Sequence, residues 1–115
     1  MSVIRVVNDY LLEDLIVGSD VGFLLVAFTT AGSVPCKHFL PEYEKVCMKS
    51  LNALFVRIEA DENPSLTKIL EVTAVPTTLL YRDGRLLGRW EGPYTAEALT
   101  ERLRLAIKEH GRKSS

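Results

Sequence analysis

The sequence predicts a single α/β domain, a central mixed sheet flanked by helices in the order βαβαβαββα. Three observations carry this. Apolar runs of strand length alternate with stretches whose apolar residues recur at helical spacing. The last two strand-like runs are separated only by Asp83-Gly84, the signal of a tight antiparallel hairpin. At 115 residues the chain is long enough for one core and too short for two.

Taken in order, Val3 to Val6 reads as a short strand. Asn8 then offers an N-cap for a helix whose Leu11, Leu12, Leu15 and Ile16 share one face, and Gly18 ends it. Phe23 to Phe28 is an unbroken apolar run between Gly22 and Thr29, the pattern of a strand covered on both faces, and it is placed in the middle of the sheet. The next helix begins at Ser33 or just after it, buries Phe39, Tyr43, Val46 and Cys47, and is kinked by Pro41. Ala53 to Glu59 is the third strand. Asn63-Pro64-Ser65 marks a turn into a short helix from Leu66 to Glu71. Thr77 to Arg82 and Arg85 to Glu91 form the hairpin. Thr95 caps a last helix with Leu99, Leu103, Ala106 and Ile107 as its buried stripe, leaving His110 to Ser115 as a frayed polar tail of the single 1–115 domain.

A formal net charge of −1 leaves no electrostatic case for nucleic acid or an acidic membrane surface. No stretch approaches the roughly 18 apolar residues of a membrane span. The apolar residues near the start follow no basic leader and precede no small-residue cleavage site, so the expected compartment is the cytoplasm. Cys36 and Cys47 stand eleven residues apart on one expected helix. That is about 16 Å, beyond the roughly 7 Å Cα limit of a disulfide, so both are expected to be free thiols. His38 and His110 have no partners at metal-ligand spacing, and neither metal nor cofactor is expected. Asp61, Glu62 and Glu59, beside a turn signal, read as solvated loop charges, and Trp90 reads as packing surface.

Chemistry centres on Ser33-Val34-Pro35-Cys36-Lys37. Together with Pro41, Asp61, Asn63-Pro64, Val75-Pro76-Thr77, Asp83-Gly84 and Gly92, in this order and spacing, it makes nearly the whole chain resemble the thioredoxin family. The resemblance implies a thioredoxin fold and the family's thiol-disulfide oxidoreductase activity. In that family two cysteines open the helix, one thiolate attacking a substrate disulfide and the other resolving the mixed disulfide. Here Ser33 occupies the position of the usual nucleophile, and its hydroxyl performs neither step near neutral pH. Two further departures surround it. Gly32 stands where the family has a Trp that shapes the groove rim, and Ala27 stands where it often has a buried Asp that moves protons.

The resemblance further implies that Pro76 is cis and that Val75 offers its backbone to an extended substrate segment. Gly32, Val34, Pro35, Val75, Pro76 and Gly92, with Pro93, would then form the substrate-binding surface beside Cys36. Ser33 reads either as an N-cap accepting from the Cys36 amide or as a hydroxyl donor to a Cys36 thiolate. Cys36 reads either as a reactive thiol or as a quiet, partly buried one. The leading functional reading is monothiol exchange through Cys36 with protein or small-molecule disulfides, an external thiol providing release. Its rival is a non-catalytic module that holds an extended segment of a partner protein. A serine introduced into an active disulfide reductase would give the same motif, although Gly32 and Ala27 speak for a site that had diverged in any case.

Overall fold

The computed structural model describes residues 4–6, 22–49 and 53–114; the helix expected after Asn8 lies outside them. Five strands form one sheet in the order β1-β3-β2-β4-β5. They are β1 (Ile4–Val6), β2 (Phe23–Thr29), β3 (Ala53–Glu59), β4 (Thr77–Arg82) and β5 (Arg85–Glu91). β3 runs parallel to both β1 and β2, whereas β2, β4 and β5 pair antiparallel, so the sheet is mixed. The apolar run of β2 takes the central position because it is buried from both sides, Leu24 to Thr29 all being buried. Arg82 pairs with Arg85 across a two-residue loop. Both loop residues have positive φ, 53° at Asp83 and 77° at Gly84, as a type I′ hairpin turn requires.

Three helices are described: α1 (Val34–Lys49), α2 (Pro64–Ile69) and α3 (Ala96–Ser114), with a 3₁₀ turn over Ala60–Glu62. α1 runs unbroken through Pro41 and buries Cys36, Phe39, Tyr43, Val46 and Cys47. Together with α3 it covers one face of the sheet, where Leu25, Ala27, Phe55 and Leu80 meet Phe39, Tyr43, Leu99 and Leu103. The opposite face packs Leu24, Val26, Phe28, Ile58 and Leu79 against Leu66 and Val72. The Tyr43 hydroxyl donates to the Val56 carbonyl at 2.9 Å, and full burial pushes its phenol well above the usual range. Both cysteines are free and buried on α1.

Four sequence expectations need correction. The short helix starts at Pro64, not Leu66, because proline suits the first helical position, where its missing N–H is not needed. It also ends before Glu71, which adopts φ 57°; Glu71 N–H bonds to Lys68 O and Val72 N–H to Thr67 O, the Schellman pattern. α3 continues to Ser114, so His110 to Ser114 is helical rather than a frayed tail; apart from Gly111 and Ser114 its C-terminal segment uses residues that tolerate a helix, including Lys108, Glu109, Arg112 and Lys113. On that helix Ile107 is 38% exposed and stands outside the buried stripe, which α3 forms with Leu99 and Leu103.

Candidate active site

Strand register collects the candidate residues at one end of the sheet. Phe28 pairs with Thr77, and Thr77 with Glu91, so the segment after β2, the Val75-Pro76 segment before β4 and Gly92 after β5 lie at a common edge. Thr29 pairs in parallel with Glu59, which brings the end of β3 to the same place. This is the carboxyl end of the parallel strands, where open α/β sheets form ligand sites.

Ser33 is the N-cap of α1. Its Oγ accepts from the Cys36 N–H at 3.3 Å, its carbonyl accepts the first helical bond from Lys37 N–H at 3.1 Å, and its own N–H donates to Thr30 O at 3.3 Å. A serine oxygen does this as well as any side chain, worth about 1 kcal/mol, so the helix start survives the absence of a cysteine there. Cys36 occupies the third helical position and is only 1% exposed, whereas Val34, two residues earlier, is 60% exposed. Gly32 and Pro35 are exposed as well. A Cβ added at Gly32 would meet no atom within 4 Å beyond its chain neighbours, so there is space at the rim where the resembled family carries Trp. Ala27 is fully buried beneath the site within the apolar cluster under α1.

The Val75-Pro76 peptide bond is cis. Pro76 is buried and Val75 half-buried, and the Pro76 carbonyl accepts from the Gly92 N–H at 2.8 Å, tying β5's exit to the turn. Gly92 holds φ 111°, a conformation that side chains rarely adopt. Trp90 packs half-buried against the α1-side core, in keeping with a packing role. Its indole leaves no room for a side chain at Gly88, where a Cβ would collide with the ring.

Sequence reasoning missed two residues. Phe55, Arg57 and Glu59 alternate onto the α1 face of β3, and Arg57 stands in register with Ala27. Glu59 is not a solvated loop charge: it is 8% exposed, and its Oε1 accepts from the Ala31 N–H at 2.9 Å, holding the segment that leads to Ser33. Strand alternation continued through residue 59 is the signal that would have found it; the nearby Asn63-Pro64 turn masked it. Arg57, Glu59 and Cys36 border one cavity of about 370 Å³. Among the described residues no group of three or more His, Cys, Asp or Glu side chains could hold a metal ion. No described helix is long and apolar enough to cross a membrane.

A mixed sheet with a helix opening at Ser-x-x-Cys and a cis-proline turn at the same edge defines a thioredoxin-like protein. The family description Thioredoxin matches residues 5–105, and the chain belongs to the thioredoxin family. Among its relatives, thioredoxin-3, mitochondrial, of Saccharomyces cerevisiae is 36% identical over 66 residues, 57% of this chain and 52% of that protein. Thioredoxin Y2, chloroplastic, of Arabidopsis thaliana is 33% identical over 98 residues, 84% of this chain and 58% of that protein. Matching regions thus span a little over half the length of these curated relatives. The crystal structure of oxidized mitochondrial thioredoxin 3 from Saccharomyces cerevisiae aligns with a TM-score of 0.80 at 29% identity, covering 89% of this chain and 93% of that one.

Proposed function

We propose that this thioredoxin-family protein acts in thiol-disulfide chemistry through Cys36 alone. The Cys36 thiolate attacks a disulfide, one half of which leaves as thiolate, and an external thiol such as glutathione then releases the mixed disulfide. The observation that carries this reading is the oxygen at position 33, hydrogen-bonded to the Cys36 amide where a resolving pair would need sulfur. Cys47 does not replace it, since it lies eleven residues along the same helix, about 16 Å away. Protein or small-molecule disulfides are the substrates. In an assay coupled to thioredoxin reductase, the expected result is no catalytic turnover of a protein disulfide; turnover comparable to that of a two-cysteine thioredoxin overturns the reading.

A second reading rests on the contrast between Cys36 at 1% and Val34 at 60% exposure. In it, Val34, Val75, Pro76 and Gly92 hold an extended partner segment by backbone pairing, which needs no sulfur. Cys36→Ala separates the two: partner capture persists if the protein is a binding module and is lost if capture is thiol exchange. Two free thiols suit a reducing compartment, and we propose the cytoplasm, to be checked by immunolocalisation.

A further inference from the structure

Cys36 is one of the residues that border the cavity of about 370 Å³. Thr30, Cys36, Lys37, Arg57, Glu59 and Asp61 border it, and Val34, Val75, Pro76 and Gly92 do not. Its size lies at the low end of the roughly 300–1,000 Å³ of small-molecule sites, enough for an amino-acid-sized group. Its walls carry both signs of charge. Lys37 and Arg57 supply cations, and no ion pair joins either to a carboxylate among the described residues. Glu59 is buried two residues along β3 from Arg57 on the same face, with Oε1 engaged by Ala31, and Asp61 is exposed.

We propose that this cavity binds low-molecular-weight zwitterionic disulfides of the cystine type and brings them to Cys36 from the sheet side. Arg57 and Lys37 receive the carboxylate through charge-assisted hydrogen bonds, and the acidic wall receives the ammonium group. The Cys36 sulfur forms a bond to one substrate sulfur as the substrate S–S bond breaks. The other half departs as a thiolate that takes up a proton, so one cysteine is reduced while Cys36 is oxidised to the mixed disulfide. This names the substrate class of the monothiol reading and rests on it.

The test is the rate of mixed-disulfide formation at Cys36, followed by intact mass and peptide mapping. The disulfides are cystine, cystamine without the carboxylates, 3,3′-dithiodipropionate without the ammonium groups, and neutral 2-hydroxyethyl disulfide. Each rate is normalised to that with N-acetylcysteine. The expected result is a preference for cystine that falls about tenfold in Arg57→Gln or Lys37→Gln, the loss of one charge-assisted contact, with the neutral disulfide within about twofold of wild type. Arg57→Lys retains most of the preference. Lys37 is exposed, so Lys37→Gln keeps the test sound if Arg57→Gln fails to fold. An unchanged preference in folded variants overturns the cavity site and leaves monothiol exchange standing. If no disulfide, neutral included, modifies Cys36 in the native protein while unfolding exposes it to all four, the monothiol reading falls and this inference with it.

Discussion

Oxygen at position 33 removes a nucleophile and keeps a cap. Both effects follow from the same geometry, the Ser33 side chain folded back over the first turn to the Cys36 amide at 3.3 Å. Ser33→Cys is therefore expected to form a disulfide with Cys36 under mild oxidation, because the side chain at position 33 already reaches back to the Cys36 backbone across the first turn. Mass spectrometry should show the loss of two hydrogens and a peptide linking residues 33 and 36; absence of that link means the loop holds the two positions apart. At this scale Ser33, Cys36, Pro76 and the openness at Gly32 were legible, because helix caps, prolines and missing side chains act locally. Glu59 was not. Its role depends on where Ala31 comes to rest, 28 residues away in sequence, and no local pattern reports that contact.

Among the elements, helix ends were read less well than strands. The β2 run and the Asp83-Gly84 hairpin were explicit in residue type, whereas the end of α2 is set by Glu71 in a left-handed conformation that sequence patterns assign to glycine. Two features hold it there: the Schellman hydrogen bonds, and the Arg89 guanidinium of β5, which donates to the carbonyls of Leu70 and Glu71. The Leu70 carbonyl belongs to the C-cap and the Glu71 carbonyl lies just beyond it, so a cation there also meets the negative end of the helix dipole. Glu71 is exposed, and its side chain has no part in the motif's backbone hydrogen bonds. Glu71→Gly is expected to stabilise the protein by up to about 1 kcal/mol by relieving the left-handed strain, less the entropy glycine adds to the unfolded chain. Urea denaturation measures it; a loss of stability would show that the carboxylate matters to the turn.

For the molecule as a whole, the architecture was legible because alternation, hairpin and apolar runs all point to one mixed sheet, while the partition of its two cores had to come from the register. That partition places Ala27, fully buried, between Arg57 and Thr78 on the face covered by α1. The family's Asp at this position would stand among Leu25, Phe39, Phe55 and Leu80, with Arg57 as its cross-strand neighbour. Ala27→Asp is expected to cost at least about 2 kcal/mol near neutral pH, because burying a carboxylate in an apolar cluster outweighs one partly solvated guanidinium partner. The sign with pH follows from burial. It raises the carboxyl's folded pKa above its unfolded value, so the folded variant binds the proton more tightly, and the variant's stability relative to wild type is best below the unfolded value and declines as pH rises through the folded one. Paired urea titrations of wild type and variant at pH 4 and pH 8 should therefore show the smaller difference at pH 4. A difference that is larger at pH 4 would mean that Arg57 outweighs burial and draws the carboxyl down, so that the site still holds the charge its sequence has given up.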